Sequence, residues 1–125
     1  MDSGWWMVKD YKELEVWKKG ILLVLQVYEL IKVFPKEERY ALTDQIKRAA
    51  VSIPSNIAEG ASRNTTKEFV QFLYITLGSA SELETQMVIA EKLCYMKSDS
   101  KLLSEITVIR KMLNALITSL KKQYM

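Results

Sequence analysis

Arg48-Ala-Ala-Val-Ser-Ile-Pro-Ser-Asn-Ile-Ala-Glu-Gly60 is the stretch that decides the fold. Apolar residues before and after its proline recur at steps of three and four, which predicts one buried stripe of a helix: Leu42, Ile46, Ala49, Ile53 and Ile57. Pro54 lies inside this helix, cannot donate to the carbonyl of Ala50, and costs ~3 kcal/mol in a plain helix, which predicts a bend. Small residues surround the bend, so we expect another helix to pack closely there, through the patch Gly78-Ser-Ala-Ser81.

The composition indicates one soluble domain. The chain has 125 residues, of which 49% are hydrophobic and 26% charged, and its apolar runs are too short to span a bilayer. We expect residues 1–9, with Trp5 and Trp6, to be a loosely ordered lead-in, and residues 10–125 to form a single four-helix bundle domain. We recognise no signal peptide, so the expected location is cytoplasmic. Cys94 is the only cysteine and is predicted to fill a small place in the core.

The chain contains no histidine, which limits the chemistry available to it. Ser-His and Cys-His nucleophile pairs, imidazole ligands for zinc and Glu-x-x-His di-iron sites all require that residue. Glu59, Glu82 and Glu84 could gather around a hard cation, but surface ion pairs and a structural network are the interpretation we favour. We therefore predict no catalytic residue, no metal and no cofactor, and expect that the protein is not an enzyme.

The first helix is apolar on two sides. Asp10-Tyr-Lys-Glu13 has the spacing of a capping box, which predicts a helix start near residue 11. One stripe of the helix holds Leu14, Trp17, Ile21, Val24, Leu25 and Tyr28, and a nearly opposite stripe holds Val16, Leu23, Val27, Leu30 and Phe34. A bundle of this size gives each helix one inner side, so we favour a subunit interface for the second stripe over one large core that buries both.

Three more helices are predicted. Phe34-Pro35 ends the first helix, and the short connection predicts an antiparallel second helix that ends near Gly60. Thr65-Thr-Lys-Glu68 is a second capping box and begins a third helix, whose flanking stripe we also assign to a subunit interface: Val70, Leu77, Val88 and Tyr95. The fourth helix has a heptad seam of Leu102, Ile106, Ile109, Leu113, Leu116 and Leu120. The predicted fold is an all-α, up-down-up-down antiparallel four-helix bundle.

Four motifs in order resemble one protein family. They are Asp10-Tyr-Lys-Glu-Leu-Glu-Val-Trp17, Phe34-Pro-Lys-Glu-Glu-Arg-Tyr-Ala-Leu42, Ile46-Lys-Arg-Ala-Ala-Val-Ser-Ile-Pro-Ser-Asn-Ile-Ala-Glu-Gly60 and Glu82-Leu-Glu-Thr-Gln86. From about residue 10 to residue 96 the chain resembles the bacterial four-helix bundle family of 23S rRNA intervening-sequence proteins, which is similar in fold to the accessory protein of diversity-generating retroelements. The resemblance implies a homo-oligomeric ring, a homopentamer, and no known catalytic residue.

Several residues are predicted to be structural. Seven of them are positions that match the motifs of the family: Arg48, Pro54, Asn56, Glu59, Gly60, Glu82 and Glu84. The eighth, Gly78, belongs to the small-residue patch. Arg48 and Glu59 lie on one helical line, and we expect them, together with Asn56, to satisfy polar groups at the proline bend. A ligand site at the same residues is the alternative.

Two functions follow from these observations. The formal net charge of +3 is a mild basic excess, and the first function is binding of rRNA or other nucleic acid without sequence specificity. The candidate phosphate contacts are Lys18, Lys19, Arg39, Lys47, Arg63, Lys67, Arg110, Lys111, Lys121 and Lys122. A solvated basic exterior is the alternative explanation of these cations. The second function is a scaffold for a protein partner, contacted through Trp5, Trp6 and outer apolar residues. An enzyme ranks third.

Overall fold

The computed structural model describes residues 10–98 and 101–124. Its four α-helices are Glu15–Leu30 (α1), Leu42–Ala61 (α2), Thr66–Lys92 (α3) and Lys101–Tyr124 (α4). Three 3₁₀ turns accompany them, at Tyr11–Glu13, Ile31–Val33 and Lys36–Glu38. The described residues contain no strand, so the all-α prediction is confirmed for this part of the chain. The predicted lead-in with Trp5 and Trp6 lies outside the described residues.

The helices form a closed bundle. Each helix packs against the next one in the sequence, and α1 also packs against α4. The packing of α1 and α2 is antiparallel, because Gly20 faces Pro54 whereas Tyr28, later in α1, lies beside Lys47, earlier in α2. We call the end of the bundle where α1 and α3 begin the Arg63 end, and the opposite end the Pro35 end. None of the four described helices is long and apolar enough to cross a membrane.

The capping boxes in the sequence predicted the start of α3 correctly and the start of α1 incorrectly. The hydroxyl of Thr65 accepts a hydrogen bond from the N–H of Glu68 at 3.2 Å, and α3 begins at the next residue, as predicted. Asp10 accepts from the N–H of Lys12 at 3.0 Å but caps only a 3₁₀ turn. The first α-helix begins at Glu15, because Leu14 is extended with ψ 126° and interrupts the helical backbone. The predicted start near residue 11 is therefore wrong.

The core contains most of the residues that we assigned to a subunit interface. Val16, Leu23, Val27, Phe34 and Val70 are buried within one chain, and Leu30, Leu77 and Tyr95 are partly buried against the same core. Val88 is the one candidate that is exposed, at 40%. The interface assignment stays a prediction for Leu30, Leu77, Tyr95 and Val88, and it is wrong for the five buried residues. Gly20 lies on their side of α1, and the absence of its side chain lets α2 approach that side closely.

Gly20 rather than Gly78 meets the proline. A Cβ atom added to Gly20 would lie 3.4 Å from both Ile53 Cγ2 and Pro54 Cβ, so α1 packs directly on the proline ring. Around Gly78, apart from its chain neighbours and the nearby backbone of α3, no heavy atom of the described chain lies within 4 Å of an added Cβ. The predicted contact with the bend is therefore wrong for Gly78 itself, although Ala80 of the same patch is buried. Instead, α3 approaches α2 most closely at Gly60, where an added Cβ would lie 2.6 Å from Phe72 Cβ.

The third helix ends in a Schellman motif. Cys94 has φ 64°, its N–H donates to the carbonyl of Glu91, and the N–H of Tyr95 donates to the carbonyl of Ala90, both at 2.9 Å. This turn directs the chain out of the helix and leaves Cys94 exposed. The prediction that Cys94 lies in the core is wrong, because its apolar periodicity continues beyond the last helical residue.

The heptad seam of α4 faces the core along nearly its whole length. Leu102, Ile106, Ile109, Leu113 and Leu120 are buried as predicted. Leu116 is only partly buried, and Ile117 is buried instead. The helix advances about 3.6 residues per turn rather than 3.5, so a buried stripe drifts along a long straight helix.

Candidate nucleic-acid interface

The polar residues next to Pro54 bind the local backbone. Ser52 Oγ donates to the carbonyl of Ala49 at 2.7 Å, and Asn56 Nδ2 donates to the carbonyl of Ser52 at 2.8 Å. These two carbonyls flank that of Ala50, which Pro54 deprives of its usual donor. Asn56 is thus placed as the sequence suggested, with its amide on the backbone beside the proline.

Arg48 and Glu59 do not take part in that set. Arg48 Nε donates to Asp44 Oδ2 at 2.9 Å, and this hydrogen bond to the Asp44 carboxylate raises the pKa of Arg48. Glu59 accepts from Arg63 Nη2 at 2.7 Å. Both pairs lie on the outer surface of α2 and its C-terminal end, where ion pairs contribute little to stability. The predicted network is wrong in including these two residues.

The acidic candidates are held in separate pairs. Glu84 Oε1 accepts from Arg110 Nη2 at 3.0 Å, which joins α3 to α4. Glu82 accepts from the side-chain amide of Gln86 at 3.2 Å, and Glu59 lies on another helix. Residues 10–98 and 101–124 bring together no three acidic or cysteine side chains that could hold a metal ion. The pairing of these carboxylates is the arrangement favoured from the sequence.

Six of the ten predicted cations lie at the Arg63 end. Antiparallel packing brings the first turns of α1 and α3 beside the last turns of α2 and α4. The six residues are Lys18, Lys19, Arg63, Lys67, Lys121 and Lys122. Two of them form ion pairs with a carboxylate one helical turn earlier in the sequence: the distance is 3.1 Å for Lys18 and 2.7 Å for Arg63.

The other cations at this end form no ion pair with the acids of the described chain. Within the part of the chain that the structure describes, Lys19, Lys67 and Lys122 have no carboxylate within 4.0 Å and are exposed. Lys121 lies over the ring of Tyr74, with Nζ 5.8 Å from the ring centroid, and donates to Tyr74 Oη at 3.4 Å. These lysines can exchange water for phosphate oxygens without breaking an ion pair.

The remaining four candidates lie elsewhere. Arg110 and Lys111 are near the middle of α4, and Arg110 is already occupied by Glu84 and Ser81. Arg39 and Lys47 lie at the Pro35 end, roughly the full length of the bundle away from the six. The structure therefore divides the predicted nucleic-acid contacts into one group of six and two smaller groups.

Apolar side chains are exposed on opposite sides of the bundle. We call the exposed residues Leu22, Leu25 and Val51 the α1–α2 patch, and the residues Val88, Ile89, Leu103 and Val108, which line one groove, the α3–α4 patch. The second patch lines a groove of about 690 Å³. Because the helices follow one another around the bundle, the pair α1–α2 lies across the core from the pair α3–α4. Large apolar side chains exposed in groups are typical of interaction surfaces.

The sequence analysis missed most of these surface residues. Leu25 and Tyr28 belong to the stripe that we assigned to the core, and Val108 lies outside the heptad seam of α4. It also missed Lys32 and Lys36, which flank Phe34-Pro35. The cations on both sides of the aromatic-proline pair were the available signal for a charged surface at this turn.

Comparison with known proteins gives a family and a fold. The family model described as 23S rRNA-intervening sequence protein matches residues 12–115. The crystal structure of a protein of unknown function from the S23 ribosomal protein family of Bacteroides thetaiotaomicron is similar, with a TM-score of 0.76 and 24% identity, over 82% of this chain and 95% of that chain. No curated protein matches the chain. At this identity the crystal structure supports the fold alone.

Proposed function

This chain belongs to the family of 23S rRNA-intervening sequence proteins, and from that premise we propose that it is a non-enzymatic, homo-oligomeric protein that binds RNA through its Arg63 end. It acts in the bacterial cytoplasm and holds phosphates without reading sequence. The observation that carries the proposal is the convergence of six predicted cations at that end of the bundle.

The charges at the Arg63 end are suited to a phosphate backbone. Lys19, Lys67 and Lys122 are exposed and pair with no carboxylate of the described chain, so their positive charge is available to RNA. Lysines and arginines that replace counterions around phosphates supply most of the non-specific affinity for nucleic acid. One chain offers too few such contacts for tight binding. A ring of subunits whose Arg63 ends face the same way would multiply them.

The two apolar patches support such a ring. The α1–α2 patch and the α3–α4 patch differ in shape and composition and lie on opposite sides of one subunit. When one patch of each subunit contacts the other patch of the next, the contact is head-to-tail, and it closes into a ring when the rotation between neighbouring subunits is a whole fraction of a full turn. All subunits then present the same end to the same side. The family resemblance sets the expected number at five.

RNA binding is tested with a labelled 23S rRNA fragment by fluorescence anisotropy. We expect binding at about 50 mM salt and a loss of at least tenfold at about 200 mM salt, because released counterions oppose binding. Lys121→Gln/Lys122→Gln should weaken binding at least fivefold. Lys92→Gln/Lys97→Gln removes the same charge from the Pro35 end and should change it less than twofold. No binding at the lower salt concentration, or equal losses in both variants, would overturn the proposal.

Assembly is tested by light scattering. Leu25→Glu disables the α1–α2 patch and Val108→Glu the α3–α4 patch, so each variant alone should be monomeric. An equimolar mixture should form a one-to-one dimer, because each variant keeps the patch that the other lacks. Tyr40→Glu, at a side chain 88% exposed and outside both patches, is the control and should leave the oligomer intact. A mixture that stays monomeric would refute the head-to-tail contact.

The groove between α3 and α4 favours a second candidate function. Its apolar lining and volume of about 690 Å³ suit an amphipathic helix of another protein, which would make this chain a scaffold. The two candidates are separated by purification from cells after nuclease treatment. A stoichiometric protein partner that is lost in Val108→Glu, together with a monomeric purified chain, supports the scaffold and contradicts the ring.

A further inference from the structure

A second charged surface lies at the Pro35 end, where a cavity of about 390 Å³ opens between the end of α1, the two 3₁₀ turns and the start of α2. Its lining consists of Tyr28, Ile31, Lys32, Phe34, Pro35, Lys36, Arg39, Thr43 and Lys47. Cavities that bind small molecules usually have volumes of about 300 Å³ or more. This cavity therefore has the capacity for one nucleotide-sized ligand.

The charge lining the cavity is entirely positive. Four of its lining residues are cations and none is acidic. Lys32 is paired with Glu29 at 2.7 Å, on the exposed surface. Among the described residues, Lys36, Arg39 and Lys47 have no carboxylate within 4.0 Å. Three cations without ion pairs around one cavity form a site for an anion.

Two of the acids close to the cavity are engaged on other groups, whereas Glu37 is exposed beside Lys36 and has no ion pair within the described residues. Asp44 accepts from Arg48 at 2.9 Å, and Glu38 accepts from Tyr95 Oη at 2.9 Å and from the N–H of Leu42 at 3.4 Å. These bonds hold both carboxylates on partners that do not line the cavity. An anion in the cavity therefore meets little local repulsion from them.

The start of α2 adds one feature that favours an anion. The helix terminus itself is already occupied, because the Glu38 carboxylate accepts from the N–H of Leu42 and Asp44 lies in the first turn, so the feature is a side chain. Thr43, in the first turn, lines the cavity and is 91% buried, since its relative exposure is 9%. Its Oγ1 has no hydrogen-bond partner within the described residues. A buried hydroxyl without a partner is unfavourable, and a ligand oxygen beside Thr43 would supply one.

The remaining lining residues are apolar or aromatic. Tyr28, Ile31, Phe34 and Pro35 form one wall of the cavity, and the ring of Tyr28 is 42% exposed. Lys47 Nζ lies over one face of that ring, 5.4 Å from its centroid. Flat aromatic surfaces next to cations are the features on which proteins stack nucleobases. A ligand that satisfies both walls needs an aromatic ring and a phosphate in one molecule.

We propose that this cavity binds a nucleotide, with its phosphate held by Lys36, Arg39 and Lys47 and its base against Tyr28. The nucleotide is either free or part of a single-stranded RNA, and in the second case the inference rests on the proposed function. The cavity lies at the opposite end of the bundle from the six cations proposed to hold the RNA backbone, so the two surfaces are tested by different substitutions.

The test is isothermal titration calorimetry on the intact protein in its own oligomeric state. AMP, inorganic phosphate and a short single-stranded RNA are titrated in separate experiments. We expect AMP to bind at least tenfold more tightly than phosphate. Arg39→Gln/Lys47→Gln should weaken AMP binding at least tenfold, whereas Lys92→Gln/Lys97→Gln, with the same loss of charge at the same end of the bundle but outside the cavity lining, should change it less than twofold. Circular dichroism establishes that each variant is folded.

The aromatic wall is tested with a matched pair. Tyr28→Ala should weaken AMP binding at least fivefold, and Tyr74→Ala should leave it unchanged, although Tyr74 is also exposed and also has a lysine over its ring. If AMP does not bind but the short RNA does, and the RNA loses affinity in Arg39→Gln/Lys47→Gln, the nucleotide of an RNA strand is the ligand.

Three results would overturn the inference: equal affinities for AMP and phosphate, equal losses in the pocket and control variants, or no binding of either AMP or RNA in the cavity. If AMP does not bind, RNA binding that is weakened by Lys121→Gln/Lys122→Gln but not by the pocket variants would overturn the inference and leave the proposed function standing.

Discussion

Replacement of Gly60 by alanine should destabilise the bundle, against the usual preference of helices for alanine. Gly60 lies in the last turn of α2 and has negative φ, so its backbone accepts alanine without strain. The added methyl group, however, would lie 2.6 Å from Phe72 Cβ and 3.1 Å from Phe69 Cδ1. Phe72 Cβ is fixed to the backbone of α3 and cannot rotate away. The two helices must therefore separate.

The size of the effect follows from two opposing contributions. Moving Phe72 Cβ from 2.6 Å to an ordinary 3.4 Å requires a displacement of about 0.8 Å, and overpacking of this kind costs about 1–3 kcal/mol. Alanine recovers up to about 1 kcal/mol through its greater helix propensity. Because the contact is with a backbone-linked atom, we take the upper part of the range. The expected net loss is ~2 kcal/mol, or ~8 °C in Tm for a domain of this size.

The other glycines provide matched controls. Gly78→Ala meets no described atom within 4 Å, so it should stabilise the protein by ~1 kcal/mol through helix propensity alone. Gly20→Ala would place a methyl group 3.4 Å from Ile53 and Pro54, which is an ordinary contact distance. The stability of this variant should therefore lie between those of Gly60→Ala and Gly78→Ala. The measurement is urea unfolding followed by circular dichroism, at one protein concentration for all variants because assembly shifts apparent stability. A Gly60→Ala protein as stable as Gly78→Ala would refute the close contact between α2 and α3.

Three further predictions concern single contacts. Cys94→Gly should stabilise the protein by ~1 kcal/mol in urea unfolding, since glycine adopts φ 64° without steric cost, and a loss of stability would contradict the Schellman geometry. Tyr95→Phe should lower the Tm at neutral pH, because the hydrogen bond to Glu38, which raises the pKa of Tyr95, is lost. Because the pKa of Tyr95 is raised in the folded protein, the difference in stability between Tyr95→Phe and wild type is fully present below about pH 10 and disappears as the pH rises through the folded pKa. A pH-independent difference in Tm would therefore argue against this bond. Asn56→Ala should lower the free energy of unfolding by ~1 kcal/mol, because the hydrogen bond to the Ser52 carbonyl is lost. Glu59→Ala removes an exposed ion pair and should lower it by less than ~0.5 kcal/mol. Equal losses in unfolding experiments would support the predicted network that joins the two residues.

The helices and their order were predictable from the sequence because local chemistry determines them. Thr65 supplies a side-chain acceptor to the first turn of α3, and Pro35 follows a residue that must leave the helix, so both boundaries are encoded in a few neighbouring residues. The seam of α4 is the one continuous apolar stripe of that helix, and five of its six predicted positions are buried. Where one side of a helix is apolar, periodicity alone identifies the core.

The orientation of α1 was not predictable in the same way. Its two stripes are equally apolar, and the deciding residue is Gly20, which faces the proline of another helix. Such a contact depends on the relative positions of two helices, and no local pattern records it. The same reason explains Gly78, which is exposed although Ala80, two residues later in the same small-residue patch, is buried. The cavity at the Pro35 end joins residues from α1, α2 and the turns between them, so its lining became apparent only once the helices were placed.

The position of Cys94 gives the intact bundle a built-in attachment point. It is the single thiol of the chain and it is exposed, on the turn that follows α3 at the Pro35 end. A maleimide dye would therefore label every subunit once, near the cavity and far from the six lysines and arginines at the other end. Counting photobleaching steps on such labelled particles would give the number of subunits directly, without altering either apolar patch.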